Sequence, residues 1–368
     1  MQKKVNVIGA GNAGLMAAKT VARYGIDVTI YDQKQKPGYP IRASGIVSSN
    51  GLSRLGVNCS KALTNSLSGA RIHAGDSVLE VKAKAPVAKV IDRGILNEIC
   101  MDEAASEGVS IVTGKKLTAT ELIEMSKNDI IIGADGAVSD VAKVFNMGSV
   151  KRYILTYRVE YNVEPQDIGS VDIYLNNNIS PGLFSWVCPN GKDVLEAGIG
   201  VASSHGNSKK AFDRFINHYG ITEMIAGAKI ISEGASIIPI GLRHRISDDK
   251  NQVLLAGDAA GQTKASTGGG IVFGSQGGIM AGEAVVDHII HGSRLSSYES
   301  KFRSKNRIDL AMHSMISKAY GSLSERNIGI VIRMLNKAGV GRILGDYGDM
   351  DRPTEIIKRF ILHRKISA

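Results

Sequence analysis

The chain has 368 residues and 42 glycines, so one large or two interleaved domains with many tight turns are expected. Its three cysteines, Cys59, Cys100 and Cys188, are far apart and form no C-x-x-C, which argues against a disulfide framework, a structural metal and a dithiol redox centre, and for a reducing, cytoplasmic setting. The net charge is +10, and 15 Lys and Arg against 7 Asp and Glu from Arg294 onward place +8 of it in the last fifth of the chain; with no binding motif and few aromatics, nucleic acid is not the expected partner.

Met1-Gln2-Lys3-Lys4 leads into the apolar run Val5-Asn6-Val7-Ile8 with no leader pattern, and no stretch approaches the apolar length of a membrane span. Gly9-Ala10-Gly11-Asn12-Ala13-Gly14 follows. A helix over Leu15 to Tyr24 ends at Gly25, and a strand over Ile26 to Tyr31 ends in Asp32. In such a strand–turn–helix unit Gly9 allows the tight turn, Gly11 lets backbone approach a pyrophosphate, and Gly14 lets helix and strand pack closely. The helix N-terminus offers free N–H groups to the phosphates, and Asp32 stands where a carboxylate accepts from ribose hydroxyls.

A loop rich in Pro, Gly and Ser spans Lys34 to Asn50, and short β-like runs fill 66–91. A helix is expected over 92–108, with Asp92 as N-cap and Gly108 beyond its end. A buried strand over Asp129 to Gly133 enters a second glycine signal, Gly133-Ala134-Asp135-Gly136. Strands over 154–162, 171–175, 183–187 and 194–200 read as an antiparallel sheet built by hairpins. Ala211 to Tyr219 is expected to be helical, and Ala228 to Pro239 returns the chain towards the first domain.

Val253-Leu254-Leu255-Ala256 is a buried-strand pattern running into the third signal, Gly257-Asp258-Ala259-Ala260-Gly261. Gly268-Gly269-Gly270 then open a helix from Ile271 to about Ile290. The three signals recur roughly every 120 residues, as in a chain that leaves a nucleotide-binding sheet and returns to it twice. No second G-x-G-x-x-G follows a strand. A carboxylate at Asp258 and a helix N-terminus behind three glycines suit FAD, because that terminus favours the negative charge of a reduced flavin ring. Gly274, Gly277, Gly278 and Gly282 lie inside the helix, where close packing is their expected role. Beyond residue 293 the chain reads as helical. Asp351-Arg352-Pro353 starts a last amphipathic helix that carries Ile356, Ile357, Phe360 and Ile361 among Lys358, Arg359, Arg364 and Lys365. Such a basic region suits an anionic membrane, an acidic electron carrier, or plain water.

The chain resembles the geranylgeranyl reductase family of flavoproteins, within the wider para-hydroxybenzoate hydroxylase fold, from residue 1 to about 300. Pro37-Gly38-Tyr39-Pro40-Ile41-Arg42 is similar to the family's P-G-x-P-v-R loop beside the flavin, and Asp92-Arg93-Gly94-Ile95-Leu96 to the helix whose arginine contacts FAD. Gly133 to Ser139 is similar to its second fingerprint. Ser180-Pro181-Gly182-Leu183-Phe184-Ser185-Trp186-Val187-Cys188-Pro189 is similar to its P-x-x-Y-x-W-x-F-P box, and Ile238-Pro239-Ile240-Gly241 and Gly257 to Gln262 continue the match. The chain departs from the pattern at Ala43, where many relatives have cysteine, at Phe184 and Cys188 in the box, and at Ala265, where proline is usual.

The resemblance implies a mixed α/β fold: a glutathione-reductase-type Rossmann FAD-binding domain (1–65, 90–150, 250–293) interleaved with an antiparallel-sheet substrate domain (66–89, 151–249) and followed by a basic helical region (294–368). It implies an FAD-dependent oxidoreductase that reduces C=C bonds of geranylgeranyl chains in membrane lipids or their precursors, fed by NAD(P)H or reduced ferredoxin. The enzyme would be cytoplasmic or peripheral on the inner face of the membrane. The expected cofactor residues are Gly9, Gly11, Ala13, Gly14, Asp32, Arg42, Ala43, Ser44, Arg93, Leu117, Asp135, Gly136, Gly257, Asp258, Gly268, Gly269, Gly270 and Ile271. Phe184, Trp186, Tyr157, Tyr161 and Tyr174 are candidates for an apolar wall, with Tyr157, Trp186 or a bound water near the chemistry. The competing readings are a flavin mono-oxygenase of the same fold acting on a small apolar or aromatic compound, and an electron-transfer flavoprotein.

Overall fold

The computed structural model describes residues 3–366, with side chains for residues 3–359. The chain runs through β1 (Val5–Ile8), α1 (Asn12–Ala22), β2 (Val28–Tyr31), β3 (Ile46–Ser48), α2 (Ser49–Ser53), β4 (Leu63–Leu67), β5 (Gly69–Ala74), β6 (Ser77–Lys82) and β7 (Ala88–Ile91). Next come α3 (Arg93–Ser106), β8 (Ser110–Val112), α4 (Ala119–Ser126), β9 (Ile130–Gly133) and α5 (Asp140–Val144). The middle of the chain holds β10 (Arg152–Asn162), β11 (Ser170–Tyr174), β12 (Gly182–Pro189), β13 (Val194–Ala202), α6 (Ser208–His218), α7 (Ile221–Met224) and β14 (Lys229–Ile240). It closes with β15 (Ser247–Asp248), β16 (Val253–Leu255), α8 (Ile271–His291), α9 (Ser297–Ser322), α10 (Glu325–Lys337), α11 (Val340–Tyr347) and α12 (Pro353–Ile366).

One sheet has the order β15-β16-β9-β1-β2-β8, parallel except at β15. Its central strands are apolar runs buried on both faces, as a parallel sheet covered by helices requires. The first helix starts at Asn12, about one turn before the predicted Leu15, because Gly11 takes the N-cap position. Asp92 caps α3 as expected, its carboxylate accepting from the Ile95 N–H at 2.9 Å.

The second sheet has the order β14-β10-β13-β12-β11-β5-β6. The hairpin-built strands pair antiparallel, but β11 runs parallel to β5. An all-antiparallel sheet was expected there. No hairpin joins β5 to β11, so no tight turn forces the two to run antiparallel. A small third sheet, β3-β7-β4, bridges the two larger ones.

The basic C-terminal region is part of this architecture. Ile328 and Ile332 of α10 pack on Ala74 and Leu79 of the β5–β6 hairpin. Gly341 of α11 lies so close to the backbone of Glu80 that a side chain there would strike the Glu80 carbonyl. No described helix is long and apolar enough to cross a membrane.

Candidate functional site

A cavity of about 510 Å³ lies between the two large sheets. Its polar end is built on the β1 turn. Gly9 sits at φ +107°, and a Cβ on Gly14 would collide with the Gly9 carbonyl, so only glycines permit this crossing of turn and helix. A Cβ on Gly278 would likewise meet the Ala13 carbonyl, so α8 packs directly on α1. The close-packing role expected of Gly278 and Gly282 follows from these contacts. Gly11 has open space where its side chain would be, and it lines the cavity with Ala13, Asp32 and Lys34. The Asp32 carboxylate accepts from the Ala10 and Lys34 N–H groups, both at 2.8 Å, so its orientation is set by backbone.

On the opposite wall, the turn after β16 carries Gly257 and Asp258. Gln262 accepts from the Gly257 N–H at 2.7 Å, and Gln262 and Leu255 are both tied to the Tyr298 hydroxyl at 2.7 Å. Tyr298 belongs to α9, so the C-terminal region holds this turn in place. Burial pushes the Asp258 carboxyl above its ordinary range, opposed by the Arg93 guanidinium. Gly268, Gly269, Gly270 and Ile271 complete this wall at the start of α8.

Arg42, Ala43 and Ser44 line the cavity from a loop pinned at two points. The Arg158 guanidinium donates to the Ile41 carbonyl at 3.0 Å, and Gly234 of β14 packs against the Arg42 backbone. The apolar roof comes from Ile173, Leu183, Phe184, Trp186 and Ile238.

Sequence reasoning and structure differ at several positions. Gly9, Gly14, Leu117 and Asp135 are not among the residues that line the cavity, and Gly9 and Gly14 act only through the turn and the packing described above. Leu117 is buried in the core of the parallel sheet. Asp135 accepts from the Ser139 hydroxyl at 2.6 Å and the Val141 N–H at 3.0 Å, which fixes the start of α5. Gly136 does line the cavity, beside Ala134. Tyr157, Tyr161 and Tyr174 lie away from the cavity. Side chains alternate along a strand, so Thr156 and Arg158, or Val171 and Ile173, face the cavity while the tyrosines face the other side. There Tyr157 packs edge-on against Phe212 and donates to Glu233, while Tyr174 stacks on His73.

Residues 349–351 are a part of the wall that sequence reasoning missed. Lys264 makes a buried ion pair with Asp351 at 2.7 Å, and Met350 and Asp351 line the cavity. The His313 Nε2–H donates to the Asp351 carbonyl at 3.2 Å, and its Nδ1 accepts from Ser266 at 2.7 Å. Burial lowers the His313 pKa, which suits this neutral tautomer. No signal in the sequence links Lys264 to a residue so far along the chain. Arg158, Glu160 and Glu196, a buried charged group beside the roof, were also unmarked, since isolated charges in strands read as solvent-facing.

The cavity fits FAD. Its lining residues carry four buried polar atoms without partners, Asn97 Nδ2, Arg158 Nε, Ser275 Oγ and Asp351 Oδ2, alongside the open approach at Gly11 and the Asp32 and Asp258 carboxylates. Such orphaned groups at the wall of a cavity call for a polar ligand. No group of metal ligands occurs among the described residues.

Residues 152–238 match the family model for the geranylgeranyl reductase catalytic domain, and residues 7–63 that for an NAD(P)-binding Rossmann-like domain. The chain is 27% identical to the digeranylgeranylglycerophospholipid reductase of Methanothrix thermoacetophila, over 93% of this chain and 94% of that one. It is equally 27% identical to the enzyme of that name from Methanosarcina acetivorans, over 88% and 86%. Among solved structures, a geranylgeranyl bacteriochlorophyll reductase-like protein from Thermoplasma acidophilum superposes with a TM-score of 0.81 at 19% identity, covering 97% of this chain and 98% of that one. A flavin-dependent brominase superposes with a TM-score of 0.70 at 14% identity over the full length of both. The two superpositions concern the fold.

Gly11→Val is expected to purify folded but without flavin absorbance, since its side chain would enter the open approach; a fully yellow variant would refute this placement. Asp351→Asn leaves the Lys264 ammonium buried and uncompensated, and is expected to cost about 3–5 kcal/mol in denaturant unfolding. The double variant Lys264→Met, Asp351→Leu should recover most of that loss, and a double variant no more stable than the single one would discount the pair.

Proposed function

We propose that this chain, which belongs to the geranylgeranyl reductase family of flavoproteins, binds FAD and reduces C=C bonds in the geranylgeranyl chains of membrane lipids or their precursors. The observation that carries this reading is the continuity of one cavity. Its polar end, at Gly11, Asp32 and Asp258, suits a dinucleotide, and its apolar end, under Ile173, Leu183, Phe184 and Trp186, suits a prenyl chain.

Bound FAD supplies the hydride chemistry; the protein supplies position, dryness and charge. In this reading Asp32 takes the ribose hydroxyls, and the wall at Gly257 to Asp258 and the start of α8 holds the remaining polar groups. The pinned loop of Arg42 to Ser44 and the aromatic pair Phe184–Trp186, 6.1 Å apart and edge-on, position the alkene and exclude water. NAD(P)H or reduced ferredoxin is the electron source.

The partner surface is an anionic membrane, met through α9 and α10. Ile308, Met315 and Ile316 lie exposed on α9 beside Arg307 and Lys318, and Ile330, Val331 and Met334 on α10 beside Arg326, Arg333 and Lys337. Apolar side chains among cations suit the interface between headgroups and acyl chains, where each cation adds about 1 kcal/mol. The sequence-based anchor at Phe360, Ile361, Arg364 and Lys365 lies outside the residues whose side chains are described.

Two measurements test this reading. Protein reduced anaerobically with dithionite is expected to regain its oxidised flavin spectrum on addition of a geranylgeranyl lipid, with saturated product by mass spectrometry. A flavin that reoxidises only with oxygen would instead support mono-oxygenase chemistry. The combined variant Arg326→Glu, Arg333→Glu, Lys337→Glu is expected to sediment less with anionic vesicles than wild type, and equal sedimentation would discard this surface.

A further inference from the structure

We propose that Glu196, acting through the Ser44 hydroxyl, stores and delivers the proton that completes alkene reduction, an inference that rests on the reaction proposed above. The placement comes from strand register. Glu196 of β13 pairs directly with Glu160 of β10, so two carboxylates oppose each other across neighbouring strands. Like charges in that position repel. Arg158 is shared between them, with its Nη1 3.0 Å from Glu160 and 3.4 Å from Glu196. Arg93 and Asp258 nearby contribute one charge of each sign. The remaining neighbour, Cys188 of β12, is a buried thiol whose pKa is pushed up by burial. The group therefore has one more carboxylate than guanidinium, in a place with little water to pay for the excess charge.

The two carboxyls are not equivalent. Glu160 also accepts from Asn190 at 2.6 Å and from the Ser232 hydroxyl at 2.5 Å. Glu196 is 3% exposed and accepts from the Trp186 indole N–H at 2.7 Å. Burial raises its pKa, against the opposing pull of Arg158, Trp186 and Ser44. The extra proton belongs on Glu196, the more deeply buried of the opposed pair, its side chain 4% exposed against 17% for Glu160. Glu196 itself does not line the cavity, but Ser44, whose hydroxyl lies beside its carboxyl, does.

The step balances. One alkene carbon gains a hydride with its electron pair from the bound reductant, and the π pair takes a proton from the Ser44 hydroxyl at the other carbon. The Ser44 oxygen takes the proton of Glu196. Glu196 is left as a carboxylate facing Trp186 and Arg158, and water returns its proton before the next turnover. Ser44 is then the catalytic residue, and Glu196 acts through it.

Infrared spectroscopy of substrate-free protein at pH 7 tests the store, and single-turnover reoxidation by a geranylgeranyl lipid tests the delivery. Wild type should show the carbonyl stretch of a protonated carboxylic acid that Glu196→Gln lacks and Ser44→Ala keeps. Both variants should retain flavin absorbance and lose roughly 100-fold in lipid-driven reoxidation, the scale of lost general acid catalysis. Identical infrared spectra for wild type and Glu196→Gln would overturn the store. Wild-type rates in Ser44→Ala would overturn the delivery, and this variant serves even if Glu196→Gln fails to fold. A wild type that shows the band but reduces no lipid would refute the reaction and the delivery with it, while leaving the protonated Glu196 established.

Discussion

Backbone-to-backbone contact at the β1 turn is the constraint on which the rest of the molecule depends. Gly9, Gly14 and Gly278 let the turn, α1 and α8 approach to distances no side chain allows. That contact brings the third glycine segment, which arrives from the far end of the chain, against the first. The polar half of the cavity is the space left between them. A larger side chain at any of these positions would separate the helices and the ligand walls together, because protein interiors are packed too tightly to absorb the added volume.

The other half of the cavity depends on strand alternation. β10, β11 and β12 each send every second side chain inward, which lines the roof with Ile173, Phe184 and Trp186 and leaves the tyrosines of the same strands in a separate core with Phe212 and Phe215. The same alternation that buries an apolar roof places Arg158, Glu160 and Glu196 on one face. Charges in such a position are costly unless paired. Their mutual pairing ties the sheet to the loop that carries Arg42 and Ser44.

Closure of the cavity is a third, independent element. Residues 349–351 are held by Lys264, by His313 and by the Arg54–Asp349 ion pair at 2.8 Å. These partners come from three remote parts of the chain. The basic C-terminal region therefore does two things: one face of α10 covers the edge of the mixed sheet, and the loop before α12 completes the ligand wall.

By itself, the sequence determined the elements and the residues of the cavity's polar end. The β1 turn, the Asp92 cap, the buried strand before Gly257 and the helix after Gly270 all follow from local rules of backbone freedom, capping and periodicity. Asp32 and Asp258 were legible because a carboxylate at the end of a parallel strand has few other uses. Tertiary structure alone decided what meets across distance. Strand register chose which aromatics face the cavity and opposed Glu160 to Glu196, and the docking of the C-terminal helices joined Lys264 to Asp351. The physical reason is range: capping and periodicity act within a few residues, whereas register and helix docking are set by burying whole faces, so a side chain's neighbours across the fold leave no mark on the residues beside it in the chain.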